Sequence, residues 1–318
     1  MRRFFIVSMV LLGGVLGLSG CQRCSGKLSP EAERAMNSGK YSMEPSLQKS
    51  ETRGAKPIVI GDSAKKEDSG RTETDSVNVE VAEVQEVLAI EHLAVPVRVS
   101  NVPEQILRRK AYVSSFNTET LMPNWVAWKL TAEETNGRVQ RSSFSFQEDL
   151  DVAPRYRVMP SDYSRSGYDR GHMCPAGDNR WDSRAMEESF LMTNICPQLH
   201  SLNSGAWNNL EIQCRDWARE YGEIYIVCGP IVSKNNNRKI GRKRRITVPS
   251  AFFKVILCMK GTPKAIGFVF RNEESHRSKS DYMNTVDDVE RITGLNFFAA
   301  LPDSIEDRVE ATANLEDW

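Results

Sequence analysis

The residues best equipped for chemistry lie in Tyr168-Asp169-Arg170-Gly171-His172-Met173-Cys174-Pro175 and between Asn194 and Arg215. An imidazole takes a proton from water near neutral pH. An arginine neutralises a phosphate, and amide and carboxylate oxygens suit a hard divalent cation that keeps most of its waters. Together His172, Arg170, Asn203 and Glu211 are the parts of a metal-assisted attack of water on a phosphodiester. Each residue also has an ordinary explanation: an Asn cap, a buried Trp, a surface Glu–Arg pair. Asp-Arg-Gly-His alone is a moderately specific signal, and the combination with the downstream stretch carries the argument.

These side chains need elements to hold them. Pro197 and Gly205 bracket a loop, and Leu202 to Tyr221 then runs without proline until Gly222, so the spacing predicts a helix. Asn203, Trp207, Glu211 and Arg215 recur every fourth residue and form a slowly winding stripe on one side of it. An Asn near the helix start and a carboxylate two turns on would then share a side. Of the histidines His92, His172, His200 and His276, only His172 follows Arg-Gly and precedes a nearby Pro. His200 is a rival base by proximity, but Gln198-Leu199-His200-Ser201 reads as loop.

With these residues in view, the chain resembles the DNA/RNA non-specific endonucleases, the endonuclease G-like enzymes with a ββα-metal active site. The resemblance rests on Asp169 to Pro175, on Thr193-Asn194-Ile195-Cys196-Pro197-Gln198, and on Leu202-Asn203-Ser204-Gly205-Ala206-Trp207 leading to Leu210-Glu211. Flanking support comes from Pro123-Asn124-Trp125-Val126-Ala127-Trp128, Val248-Pro249 with Phe253-Lys254, and Glu290-Arg291-Ile292-Thr293-Gly294-Leu295. It covers roughly residues 95–318. It implies that His172 is the general base, oriented by a backbone carbonyl, and that Asn203 is the only direct protein ligand of Mg²⁺, with Mn²⁺ or another divalent cation as substitutes. It places Arg170, Asn194, Glu211 and Arg215 in supporting catalytic roles. A further family arginine falls on Arg141, with Arg138 open.

Residues 1–20 read as an export signal: Arg2 and Arg3, then an apolar run from Phe4 to Leu18 too short to span a bilayer comfortably. Leu18-Ser19-Gly20-Cys21 looks like a bacterial lipobox, which implies lipidation at Cys21 and an enzyme tethered to the membrane of the cell envelope. An ordinary secretory signal or an uncleaved anchor helix are the competing readings. Residues 21–94 read as a tether, because Ser, Glu, Lys, Gly, Asn and Thr dominate up to Asn78 and leave little to build a core. Val79 to Leu93 fits either a strand or a short helix.

Residues 95–318 are long enough for one large core. Strands are expected at Ala111 to Ser115, Trp125 to Leu130, Glu223 to Cys228, Ala251 to Met259 and Ala265 to Phe270, with Arg141 to Phe146 as a weaker continuation of the sheet. Asp149 to Tyr168 reads as loop; Val286 to Thr293 and Ile305 to Leu315 read as helices. The expected fold is α+β, a mixed, largely antiparallel sheet with flanking helices. Cys174 and Cys196 lie close enough in sequence to the motifs for a disulfide beside the site, whereas Cys228 and Cys258 read as buried.

Basic and acidic residues balance at 42 each, so global charge excludes neither DNA nor RNA as partner. The local candidate for phosphate binding is Lys234 to Arg245, above all Arg242, Lys243, Arg244 and Arg245; a solvated loop is the alternative. The function expected is a sugar- and sequence-non-specific endonuclease acting on DNA and RNA. The alternatives are a phosphodiesterase acting on a smaller non-polymeric substrate and a catalytically silent nucleic-acid-binding module. A homodimer is expected from the family's habit.

Overall fold

The computed structural model describes residues 93–98, 101–233, 237–273 and 278–318. The expected signal at 1–20, the lipobox Cys21 and the tether up to residue 92 lie outside them, as do Lys234, Asn235 and Asn236. In chain order come β1 (Val97–Arg98), β2 (Gln105–Arg108), β3 (Val113–Asn117) and β4 (Met122–Thr131). A long connection of short turns then reaches β5 (Asp169–His172). Helix α1 (Ser183–Ser189) precedes β6 (Ile195–Gln198), and α2 (Asn208–Tyr221) precedes β7 (Glu223–Ile231). There follow β8 (Lys239–Ile240), β9 (Ile246–Thr247), β10 (Ala251–Cys258) and β11 (Lys264–Arg271). The chain closes with β12 (Met283–Asn284), α3 (Val286–Thr293), β13 (Leu295–Asn296) and α4 (Asp303–Glu310).

Seven strands form one antiparallel sheet in the order β12-β11-β10-β7-β4-β3-β2. Its central strands are apolar at nearly every position because both faces are covered. Val126, Trp128, Ile226, Phe252, Ile256, Phe268 and Phe270 point to one core. Trp125, Ala127, Val227, Phe253, Val255 and Leu257 point to the other, where α3 and α4 pack with Val286, Val289 and Val309. Pleat alternation sorts the two sets. Each large side chain so buried stabilises the fold by roughly 1.5–3 kcal/mol before entropy is counted. The first core lies beneath a separate two-stranded ribbon, β5 paired antiparallel to β6, and the helix that follows it. Ribbon plus helix is the expected ββα unit.

The expected strands and helices appear, with boundaries moved by a few residues, and Gly222 ends α2 at φ 90°, a left-handed conformation that glycine adopts at little cost. Two expectations are corrected. Arg141–Ser143 forms a single tight turn and the sheet does not continue there; Gln147 alone bridges to Leu191. Only Phe144 and Phe146 of that segment are partly buried, against Phe190, so aromatic packing and not strand pairing fixes it. Cys174, Cys196, Cys214, Cys228 and Cys258 are all free thiols, so the expected disulfide is absent among the described residues. They are buried in the core, and Asn179 donates to the Cys174 sulfur at 3.3 Å.

Candidate active site

Strand β5 carries the motif. His172 at its end pairs with Ile195, and Asp169 at its start pairs with Gln198. Gly171 lies between, where a Cβ would sit 2.2 Å from Gln198 Oε1; the glycine is required for ribbon and glutamine to meet. Alternation along the strand places Arg170 and His172 on one side of the ribbon and Asp169 on the other.

On the first side, the His172 ring sits 5.2 Å from the centroids of both Phe146 and Phe190. Arg141 lies over Phe190 at 5.6 Å and Arg170 over Phe146 at 5.3 Å, so two cations flank the imidazole through aromatic rings. Burial, helped by the Arg141 charge, lowers the His172 pKa to about 3. The imidazole is therefore neutral at working pH, as a proton acceptor must be. Its Nε2 is buried without a hydrogen-bond partner. The expected orienting carbonyl is not found among the described residues; the two phenylalanines hold the ring. An open hollow of about 570 Å³ lies against these two phenylalanines, lined by Arg141, Phe144, Phe146 and Phe190. Arg170 also donates to the Pro160 carbonyl at 2.8 Å, which fixes its head.

On the other side Asp169 Oδ2 accepts from Asn203 Nδ2 at 3.0 Å and lies 2.8 Å from His200 Nδ1. The Asn203 amide is thus oriented through its nitrogen, leaving its oxygen available. Asn203 opens a π-turn, Asn203–Trp207, in which Gly205 leaves helical geometry at φ −102°, ψ −113°. A π-turn inserts a residue into the helix and often marks a functional position. It also breaks the expected stripe: Trp207 is buried in the core, while Asn203 faces the ribbon. No hydrogen bond, ion pair or ring contact among the described residues joins His172 to Asn203; the four-residue strand β5 is what connects their surroundings.

Glu211 and Arg215, two turns further on, belong to a third group. Arg215 Nη1 donates to Asp178 Oδ1 at 2.7 Å, and the Trp128 indole donates to Asp178 Oδ2 at 3.2 Å. Lys254, 1% exposed, projects from β10 under the helix, with Nζ 4.3 Å from the Trp207 centroid and 5.4 Å from that of Trp128. Burial opposes its charge, but Cys228 and Glu211 outweigh that and hold the ammonium above its ordinary range. Burial pushes the Glu211 carboxyl up to about 7, with Lys254 pulling against the shift.

Asn194 is placed differently from expectation. Its Oδ1 accepts from the Cys174 N–H at 2.9 Å, and its Nδ2 donates to the carbonyls of Cys174 and Ser189 at 2.8 and 2.9 Å. With every polar atom taken by backbone and no exposure, it braces the chain leaving β5 and has nothing free to order water.

A model of the DNA/RNA non-specific endonuclease family matches residues 92–304. The chain belongs to that family. Similar relatives include the mitochondrial nuclease EXOG of Danio rerio, 33% identical over 204 residues, covering 60% of each chain. Others are mitochondrial endonuclease G of Bos taurus, 31% identical (61% of this chain, 69% of that one), and nuclease C1 of Cunninghamella echinulata, 34% identical (61% and 83%). The alignments span 60, 55 and 54% of the EXOG proteins of Danio rerio, Homo sapiens and Xenopus laevis. Among solved structures, a chain from the EndoG/EndoGI complex superposes with a TM-score of 0.59 at 30% identity, covering 63% of this chain and 88% of that one. The mixed fold with its large antiparallel sheet is that of this nuclease family.

Within this family fold, several residues escaped the sequence. Asp169 stood in the motif without a role, and His200 was set aside as loop. Asp178 lies just past the motif, and Lys254 interrupts the apolar run Ala251 to Cys258. Lys254 stood only in the flanking Phe253-Lys254 match, without a role; a lysine inside a core strand is the signal that pointed to one, since lysine almost never buries without a partner.

The basic loop is a β8–β9 hairpin. Arg242, Lys243 and Arg245 are exposed. Arg244 differs: it donates to the carbonyls of Arg157 and Pro154 at 2.9 and 2.6 Å and ties the hairpin to the loop that runs into β5. Between hairpin and loop lies a groove of about 1060 Å³ that also takes in Arg165 and Lys239.

Proposed function

We propose that this chain hydrolyses phosphodiester bonds within both DNA and RNA, without sequence preference, by metal-assisted attack of water. The observation that carries the reading is the neutral His172, pinned between Phe146 and Phe190 with Arg141 and Arg170 beside it, at the end of the strand whose other end orients Asn203. His172 takes the proton from the attacking water. Arg141 and Arg170 offset charge growing on the phosphate. Asn203, held through its nitrogen by Asp169, offers an amide oxygen, and an oxygen donor suits Mg²⁺ or Mn²⁺. A cation there supplies Lewis-acid stabilisation of phosphate oxygens. Glu211, Arg215 and Asn194 act from behind, setting charge and backbone position. Nothing in this set reads base edges or a sugar 2′-hydroxyl, so DNA and RNA of matched sequence are both substrates. Incubating the two with the purified protein tests this: comparable fragmentation with Mg²⁺, abolished by EDTA, is expected. Cleavage restricted to one polymer refutes the sugar-non-specific part.

The pH profile separates two groups. Because His172 stays neutral down to about 3, it contributes no acid limb near neutrality. Glu211, pushed up to about 7, does, since its carboxylate must be charged to support the cation. At low Mg²⁺ the acid limb of kcat/KM should lie near 7 and disappear in Glu211→Gln. A limb that survives this change is assigned to another group.

The hairpin is proposed as a second phosphate contact. Neutralising Arg242, Lys243 and Arg245 should weaken DNA binding and flatten its salt dependence by up to about three counter-ions, roughly 0.9 per phosphate contact, with turnover at saturation unchanged. An unaltered salt slope returns the hairpin to a solvated surface. Arg244→Ala acts otherwise, through loss of its hold on residues 154–157.

We further propose that residues 1–20 are a lipoprotein signal, that Cys21 carries acyl chains, and that 21–94 tether a catalytic domain of 95–318 to a bacterial envelope membrane. The lipobox Leu18-Ser19-Gly20-Cys21 supports this. Cys21→Ser should move the protein from the membrane to the soluble fraction and abolish palmitate labelling; persistence of both overturns the anchor. A homodimer is proposed from the family alone.

A further inference from the structure

Helices α3 and α4 lie on the face of the sheet opposite the ribbon and helix α2. They bring Asp287, Glu290 and Glu310 together, each offering a carboxylate oxygen within 4.8 Å of the other two. We propose that these three residues form a calcium site, separate from the catalytic centre, that clamps the two C-terminal helices to each other.

Oxygens bound to one calcium ion lie about 2.3–2.6 Å from it and therefore within about 5 Å of one another, the spacing seen here. A second observation points to a ligand. Glu310 is 5% exposed, yet its Oε1 is buried with no hydrogen-bond partner. A buried, unpaired carboxylate oxygen is costly unless something positive meets it, and among the described residues no lysine or arginine forms an ion pair with Asp287, Glu290 or Glu310, Arg291 of the same helix pairing instead with Asp288. Glu306 stands close enough to add to the negative field. Burial first, then Glu290, Glu306 and Asp287, push the Glu310 carboxyl up to about 9, as crowded acids do without a counter-ion. The three ligands grade from exposed Asp287 through half-buried Glu290 to buried Glu310, which leaves a way in from solvent. Glu290 is already fixed, its Oε1 accepting from the Phe297 N–H at 2.7 Å. The donor set is all oxygen and all carboxylate, which suits calcium, with its variable coordination number, better than the stricter octahedron of magnesium.

Calorimetric melting of the full chain tests this, in EDTA and then in Ca²⁺. Asn203→Ala serves as the background, so that calcium at the proposed catalytic position does not contribute. At a hundredfold excess over the dissociation constant, calcium should raise Tm by about 5–10 °C in this background. The rise should vanish in Asn203→Ala/Glu310→Gln and in Asn203→Ala/Asp287→Asn, the latter a surface change that leaves the core untouched. Titration calorimetry should count one calcium ion in the background protein and none in the Asp287→Asn double variant. Glu310→Gln should itself melt higher than its parent in EDTA near pH 7, because the parent must take up a proton to bury this carboxyl and the amide need not. The site is refuted if calcium leaves Tm of the background unmoved, or if the Asp287→Asn double variant gains the same rise. Because none of these readouts uses nucleic acid, they stand whether or not the chain proves to be a nuclease.

Discussion

His172→Ala is expected to slow DNA cleavage by about 10²–10⁴-fold or more, the usual contribution of a positioned general base, while Mg²⁺ and DNA binding stay nearly intact. The ring lies between Phe146 and Phe190 and makes no hydrogen bond at Nε2, so its removal leaves a ring-sized hole and no broken polar network. Added imidazole should therefore restore part of the rate. Asn203→Ala should fail differently, raising the Mg²⁺ concentration needed for activity, with no response to imidazole. Asn203→Asp keeps an oxygen but puts a negative charge beside Asp169 Oδ2, where the amide nitrogen now donates, and so should disturb the same step. His200→Ala is predicted to act mildly and through the cation requirement, because His200 touches the same Asp169 oxygen and is 80% exposed. Near-native cleavage by His172→Ala, or greater damage from His200→Ala, contradicts the assignment.

The second large effect is expected at a residue far from the motif. Lys254→Met keeps the length of the side chain and removes its charge from beneath helix α2. Breaking a buried charge set by deleting one partner costs about 3–5 kcal/mol, so a lower Tm follows. A purely structural role would stop there. Lys254 also opposes the upward shift of Glu211, so without it the Glu211 carboxyl protonates at higher pH. Activity at pH 7 should drop by about 10–100-fold, the usual cost of losing an outer support of a metal site. The acid limb of kcat/KM should move to higher pH, and raising pH should recover much of the rate. Lys254→Arg keeps the charge and should hold the limb in place despite imperfect packing against Trp207 and Trp128. A limb that stays put in Lys254→Met makes the lysine a packing residue only.

Local signals were legible where local chemistry decides the structure. Gly222 ends α2 and Gly294 ends α3 because a left-handed residue terminates a helix whatever surrounds it. The central strands read correctly as apolar runs, although being covered on both faces erased the alternation that marks a one-sided antiparallel strand. Arg141 to Phe146 misled for the converse reason: its weak alternation is real, but Phe144 and Phe146 pack on Phe190 instead of pairing with a strand. Asn203 was recognisable from its motif, but not the π-turn at Gly205 that parts it from the Trp207–Glu211–Arg215 side of the helix. The pairs that define the electrostatics join distant residues: Asp178 with Arg215, Asp169 with Asn203, Lys254 with the Trp207 ring. Only the fold brings such partners together, and Arg244, expected among the phosphate-binding cations, turned out for the same reason to bind the carbonyls of Pro154 and Arg157.

Covalently closed circular DNA gives the most direct test, because a circle has no ends and is opened only by a cut within a strand. With purified protein and Mg²⁺ the account predicts conversion of supercoiled to nicked and then linear plasmid, complete suppression by EDTA, and no single preferred cleavage position. If the circle stays closed with Mg²⁺ and with Mn²⁺ while a small diester such as bis(p-nitrophenyl) phosphate is hydrolysed, the chain is a phosphodiesterase of small substrates and the endonuclease reading is wrong.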